Sequence, residues 1–350
     1  MNDICKIPKK SQFLYGNGGS TSIIVITPDK KVYKYFILVK DLLFNNKQEI
    51  KKNMIRDKRE IKILKLLTHL KELTPHIVEL YNYAYCTKIP KNLFANCDDY
   101  YNYLLSKKQT DLNCKFIYNR FPSKLNDGVL VANIEYCESS LSNELKIIIK
   151  KSIKHIKNFL DRILFQIFYS LEIIKETYPL FMHNDLFIRN ILVNNISNEN
   201  KFIRYKINNK YYDLSASGVI IKINDFGFTY IDKEINKSKG LVCQHNDWFN
   251  IIYDIYNGNN LGSNSLLSLT KNEEKKSFIK KYFNNFINIK FIDKIIKNNK
   301  KLELDWKWKI SCDDKLGKTL LVKNTKEIFD YFDDVFSASM DHNIIKIYNI

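Results

Sequence analysis

His183-Asn-Asp-Leu-Phe-Ile-Arg-Asn190, followed by the apolar run Ile191-Leu-Val193 and, thirty residues on, by Ile223-Asn-Asp-Phe-Gly227, is the part of the chain on which its reading turns. It places two carboxylates, Asp185 and Asp225, and one carboxamide, Asn190, at the borders of apolar segments. Aspartate and asparagine also cap turns and helices, so either half alone says little. Together, in this order and with these flanks, they supply oxygen ligands suited to a hard cation.

The surrounding segments can be read from local pattern. Residues 12–36 break at a glycine cluster and at Thr27-Pro28-Asp29, which predicts three short strands of a twisted antiparallel sheet. From about Asn46 to Leu70, Ile50, Ile61, Leu64 and Leu67 recur at helical spacing. Pro75 ends that helix, and His76-Ile-Val-Glu-Leu-Tyr81 reads as the next strand. Residues 86–127 are polar, aromatic and irregular, an insertion ahead of the strand Val129–Ile134, which runs into a hinge at Glu135–Ser140. Ile153, Ile156, Leu160, Leu164, Ile167, Leu171 and Ile174 form one long buried helical stripe, and the second half reads as mainly helical. Residues 276–298 alternate Lys with Ile and Phe, and Asn324-Thr-Lys-Glu327 looks like a capping box opening a last helix.

The pair H-x-D-x-x-x-x-N and D-F-G resembles the catalytic loop and metal loop of the eukaryotic-like protein kinases, and the resemblance runs from about residue 14 to residue 256. It implies an α+β, bilobal protein-kinase-like fold: an N-lobe over 1–137 with a small antiparallel sheet and one helix, and a mainly helical C-lobe over 138–350. It also implies ATP and Mg²⁺. Phosphoryl transfer needs an oxygen acceptor for the attacking hydroxyl's proton, the role of Asp185, and hard ligands for the cation, the role of Asn190 and Asp225. Tyr15-Gly-Asn-Gly-Gly-Ser-Thr21 is similar to the phosphate-covering glycine loop, with Gly16 and Gly18 in place and Thr21 where a third glycine is expected. Lys34 shares a strand face with Val32 and Phe36, as in the kinase V-A-I-K pattern, and Glu60 lies on a helix face with Ile63, Leu64 and Leu67, suited to pair with it. Ile134 takes the gatekeeper position, with backbone groups of Glu135 and Cys137 facing the adenine edge. Asp247 resembles the buried aspartate that opens a central helix and braces the catalytic loop.

The pattern also departs from the family. Asn184 replaces the arginine that clamps a phosphorylated activation loop, no A-P-E follows the D-F-G, and only 22 positions separate Asp225 from Asp247. Regulation by activation-loop phosphorylation is therefore not expected. An extra hairpin at Lys201–Asp213 and the Lys/Asn/Ile-rich composition resemble divergent kinases of large cytoplasmic DNA viruses, and the missing A-P-E is also haspin-like. Arg189 stands where tyrosine kinases carry arginine and Phe187 where serine/threonine kinases carry lysine; a serine/threonine acceptor on a protein substrate is the expectation. Two other readings stay open. A small-molecule kinase of the aminoglycoside or choline type also uses an H-x-D-x-x-x-x-N loop, though the full D-F-G and the Arg59-Glu-Ile-Lys-Ile-Leu64 helix argue against it. A pseudokinase scaffold would be expected to have lost one of Lys34, Glu60, Asp185, Asn190 and Asp225, and all are present.

With 350 residues, 45% hydrophobic and 13% aromatic, the chain is globular. Its net charge of +18 is spread through runs such as Lys51-Lys52, Lys150-Lys151 and Lys300-Lys301, so nucleic acid is not expected as the main partner. Seven cysteines, an odd number with no C-x-x-C pair, read as reduced structural thiols. With no signal-peptide core and no run long enough to span a bilayer, the expected location is intracellular and cytoplasmic, or host cytoplasm or virion for a viral protein.

Overall fold

The computed structural model describes residues 3–15, 22–37, 47–87, 129–207, 209–231, 246–258, 264–290 and 325–348. Gly16, Gly18, Thr21, nearly all of the 86–127 insertion, Trp306, Trp308 and Asn324 lie outside them. The chain divides into two compact units, one of residues 1–68 and 78–136, the other of residues 69–77 and 137–350. The α+β, bilobal class expected from sequence is the class observed.

In the first unit β1 (Gln12–Tyr15), β2 (Ser22–Ile26), β3 (Val32–Ile37), β4 (Leu80–Cys86) and β5 (Val129–Ile134) form one antiparallel sheet in the order β1-β2-β3-β5-β4. The β2–β3 turn closes where Thr27 N–H donates to the Lys31 carbonyl at 2.9 Å, and Lys30 takes a left-handed φ of 59°. β5 sits between β3 and β4 with all six residues buried, which is why it shows no alternation. Lys34 stands opposite Ile24 on β2 and Ala132 on β5. Helix α1 (Lys47–Thr68) buries Glu60, Ile63, Leu64 and Leu67, the inward stripe expected for it. Its last residue links it to the sheet, because Thr68 Oγ1 accepts from Leu80 N–H at 3.0 Å.

Two expectations for this part are corrected. The strand predicted from His76 begins only at Leu80; His76 and Ile77 belong to the second unit, where Ile77 forms an isolated bridge with Ile223. Cys5 and Cys86 are joined in a disulfide across 81 positions, against the expectation of reduced thiols. A single 3₁₀ turn at Asp3–Cys5 packs against β4 and β5, so the start of the chain meets the end of β4, a pairing no local spacing reveals.

The second unit is built on α3 (Ile153–Thr177), preceded by α2 (Leu141–Ile148). Ser152 caps α3 by accepting from His155 N–H, and Ile156, Leu160, Leu164, Ile167, Leu171 and Ile174 are fully buried along it. α4 (Asn246–Tyr256), the one-turn α5 (Leu266–Leu269), α6 (Glu273–Phe283) and α7 (Thr325–Asp333) complete the helices of the described residues.

Beside its helices this half carries a second sheet. β7 (Ile191–Ile207) and β8 (Lys210–Ile223) make one long hairpin, paired from Ile191↔Ile223 out to Ile207↔Lys210 and irregular between Ser197 and Phe202. The predicted hairpin at 201–213 is its outer end. β6 (Ser139–Ser140) pairs with the base of β7, and β9 (Ile344–Tyr348) adds in parallel to Phe202–Tyr205. The hairpin is fastened at Asp213, whose buried carboxylate takes both Nε and Nη2 of Arg204 at 2.7 Å, His342 Nδ1 at 2.8 Å and Ser339 N–H at 3.1 Å.

Candidate active site

In the first unit, Nζ of Lys34 lies 2.6 Å from Glu60 Oε1 and 5.0 Å from the centroid of the Phe36 ring. β3 supplies the lysine and α1 the glutamate, and both side chains are buried, Lys34 between Val32 and Phe36 along its strand and Glu60 beside Ile63, Leu64 and Leu67 on its helix. Ile134 is buried opposite Val32 and Leu80. Glu135 N–H donates to the Glu79 carbonyl at 2.9 Å while Glu79 N–H donates back to Glu135 Oε2 at 3.2 Å, so the N–H of Glu135 is already engaged.

In the second unit, the catalytic-loop motif is held by backbone bonds. His183 is completely buried: its Nδ1 accepts from Asp185 N–H at 3.3 Å, which leaves Nε2–H to donate to the Asn224 carbonyl at 3.0 Å. One imidazole thereby ties Asp185 to the residue ahead of Asp225. Asp247, on the first turn of α4, accepts His183 N–H at 2.6 Å and Asn184 N–H at 2.9 Å. Asn184 has a φ of 61°, a left-handed conformation that asparagine tolerates, and its Nδ2 donates to the Phe228 carbonyl at 3.2 Å.

Asp185 is the focus of this loop. Its Oδ1 meets Arg189 Nη2 at 2.6 Å, and Asn190 Nδ2 donates to both its carbonyl at 2.7 Å and its Oδ2 at 2.8 Å. Arg189 also lies over the Phe187 ring, 4.6 Å from the centroid. Burial pushes the Asp185 carboxyl above the ordinary carboxylate range and Asp225 adds to the rise, while Arg189, His183 and the Asn190 hydrogen bond pull the other way. With both amide hydrogens of Asn190 committed to Asp185, its Oδ1 is the atom that could ligate a cation, and the carboxylate of Asp225 is of the type that could serve as a second hard donor. A cation on these two and on nucleotide phosphates fits the donor set. Asp225 has a left-handed φ of 63°, and the Phe226 that follows is buried with its ring 5.0 Å from His183. Asn224 N–H donates to the Asn190 carbonyl at 2.9 Å, so the two motifs are joined from both ends.

Lys34 with Glu60, and Asp185 with Asn190 and Asp225, are thus gathered each within its own unit. Gly16 and Gly18 fall outside the described residues, and Cys137 is half-buried and not part of the disulfide. Sequence reading missed Asp254, a buried carboxylate on α4 that accepts Ile188 N–H at 2.9 Å. Its signal was a lone acid in Ile251-Ile-Tyr-Asp-Ile-Tyr256.

A buried lysine–glutamate pair on a sheet, and a loop in which one aspartate is held between an arginine and an asparagine, are the parts a phosphotransferase of the kinase class uses. No family model matches the chain. A protein of Acanthamoeba polyphaga mimivirus named "Putative serine/threonine-protein kinase" is 31% identical over 362 residues, covering 93% of this chain and 88% of that protein. A second mimivirus protein with the same designation is 30% identical over 187 residues, covering 51% of this chain and 38% of that protein. The chain belongs to the protein kinases, as a divergent relative of kinases from a large DNA virus.

Proposed function

We propose that the chain is an ATP- and Mg²⁺-dependent kinase that transfers the γ-phosphate to a serine or threonine hydroxyl of a protein substrate. The observation that carries this reading is Asp185 held between Arg189 and Asn190, with Asn190 Oδ1 left for a cation. Asp185 orients the acceptor hydroxyl and receives its proton as the new oxygen–phosphorus bond forms and the bond to the departing ADP breaks. Asn190 and Asp225 hold Mg²⁺, which screens charge on the phosphates. Lys34, set by Glu60, meets the α- and β-phosphates, Gly16 and Gly18 approach them with backbone, and Ile134, Glu135 and Cys137 receive the adenine. Because the Glu135 N–H is engaged with Glu79, the carbonyl of Glu135 is its group for the base. Most of the rate comes from positioning and charge stabilisation.

On this reading residues 1–137 form the ATP-binding lobe and residues 138–350 the lobe carrying the catalytic and metal loops. The name of the relative that matches 93% of this chain supports serine/threonine specificity. Among the described residues no helix is long and apolar enough to cross a membrane, which is compatible with a cytoplasmic site of action. A small-molecule hydroxyl is the second reading, favoured by the separation of only 22 positions from Asp225 to Asp247, a short interval for holding a peptide.

The test is Mg²⁺-dependent transfer from γ-labelled ATP to a mixed protein and peptide library, with Asp185→Asn and Lys34→Met beside the wild type. Serine or threonine labelling that both substitutions abolish is expected. Labelling on tyrosine would overturn the acceptor class, and transfer to aminoglycosides or choline alone would overturn the protein substrate.

A further inference from the structure

Asp254 has no part in the reading above, yet it is 1% exposed and its Oδ2 accepts the N–H of Ile188 at 2.9 Å. Ile188 is the first residue of the single 3₁₀ turn Ile188–Asn190 and is itself buried. The first N–H of such a turn has no partner within it, and a buried orphan donor needs one from elsewhere. A carboxylate oxygen is a strong acceptor for this purpose.

Asp254 lies seven positions after Asp247 on the same helix. At 3.6 residues per turn that is about two turns, so both carboxylates leave α4 on one face, roughly 10 Å apart along its axis. Asp247 takes the N–H groups of His183 and Asn184, just ahead of Asp185, and Asp254 takes that of Ile188, just ahead of Asn190. One rigid helix therefore grips the loop on both sides of Asp185.

We propose that Asp254 is a positioning residue: by anchoring Ile188 it sets where Asn190 stands relative to Asp185 and hence the geometry of the cation-binding amide. The proposal rests on the kinase reading of the site. Without this anchor the 3₁₀ turn is free to shift, and Asn190 draws away from the carbonyl and Oδ2 of Asp185 to which its amide donates. The chemistry depends on this separation, since misplacement by about 1 Å lowers a rate by about a hundredfold.

The experiment compares the full-length wild type with Asp254→Asn, Asp254→Ala and Asp254→Glu. It reads kcat, KM for ATP, the Mg²⁺ concentration at half-maximal rate, and hydrogen exchange in the peptide spanning residues 183–190. Asparagine keeps an acceptor oxygen without the charge; glutamate keeps the charge but overreaches by one methylene. The expected result is near-wild-type kcat for Asp254→Asn. For Asp254→Ala and Asp254→Glu, kcat falls by about 10- to 100-fold, the Mg²⁺ requirement rises, KM for ATP holds and the loop exchanges faster. Glutamate carries the comparison should the alanine variant fail to fold. Wild-type kcat and Mg²⁺ requirement in folded Asp254→Ala or Asp254→Glu overturn the proposal, as does an Asp254→Asn variant as impaired as the others. If the wild type transfers no phosphate, the kinase reading fails first. Loop exchange then decides the anchor separately: faster exchange confined to the alanine and glutamate variants upholds it, and unchanged exchange overturns it.

Discussion

Lys34 Nζ and Glu60 Oε1 lie 2.6 Å apart with their side chains only 9% and 3% exposed. A buried ion pair adds little net stability over apolar residues of the same shape, but removing one partner strands a charge out of water and costs about 3–5 kcal/mol. Lys34→Met is therefore expected to lower the urea midpoint sharply. The double variant Lys34→Met/Glu60→Leu should regain most of that loss while remaining without phosphotransfer. A single variant that unfolds at the wild-type urea concentration would show that Glu60 is not held out of water in solution.

Asp185 titrates above the ordinary carboxylate range, chiefly because it is buried. Its basic form serves catalysis, so the acid limb of kcat should lie at higher pH than an ordinary aspartate would set it. Arg189 opposes that shift, and Arg189→Ala is expected to move the limb further up in pH, modestly because this guanidinium is 49% exposed. The sign for stability is the reverse of the usual acidic residue. A carboxyl whose folded pKa is raised binds protons more tightly in the native state, so its destabilising effect is absent below the unfolded pKa and develops as pH rises through the folded one. Asp185→Asn should then be at least as heat-stable as wild type at neutral pH, yet inactive; a lowered Tm there would contradict the burial argument.

Most of what could be read from the sequence is local. β1 to β3, α1, β5 and α3 stand where periodicity and turn residues place them, because each is decided by neighbours within a few positions. The pairing of Lys34 with Glu60 is implied by the kinase resemblance, and the apolar neighbours of both residues agree with it. What escaped depends on distant parts of the chain. His76-Ile-Val-Glu79 looks like strand but leaves the sheet, since His76 is taken up by the Ile221 carbonyl at 3.1 Å and the Tyr205 hydroxyl at 3.0 Å. β9 exists only because β7 offers an edge some 140 positions earlier, and Asp254 acquires meaning only when α4 lies beside the catalytic loop. In both cases the residues are ordinary and their partners distant.

Arg162, on α3, fixes the long hairpin by donating Nε to the Val219 carbonyl at 2.7 Å, Nη2 to Ser215 at 2.7 Å and Nη1 to Ser217 at 3.1 Å. Gly218 sits inside that clamp with a φ of +125°, and a Cβ there would meet the guanidinium at 3.3 Å. Gly218→Ala is expected to destabilise by about 1–3 kcal/mol from backbone strain alone. Thermal unfolding of this variant should show a lowered Tm, with hydrogen exchange quickened first along Ser215–Val219. An unchanged Tm would mean that the hairpin relaxes at no cost and that the clamp is not rigid.

The Cys5–Cys86 disulfide closes a loop that contains Lys34, Glu60 and the first four strands of the sheet. Cross-linking so long a loop restricts the unfolded chain, and the chain-entropy relation for 81 positions gives about 4.5 kcal/mol. Reduction should therefore lower the stability of the first unit by up to that amount, and Cys5→Ser should lower it equally. Adding reductant to the Cys5→Ser protein should change nothing further, since both treatments remove the same bond. Urea unfolding with and without dithiothreitol, followed by hydrogen exchange in β4 and β5, separates this from a general effect. If reductant leaves the wild type unchanged while Cys5→Ser is destabilised, the loss belongs to packing around Cys5, not to the cross-link. If both lower stability and phosphotransfer falls in proportion, the lysine–glutamate pair depends on the closed loop, and the redox state of the surroundings sets the activity of the enzyme.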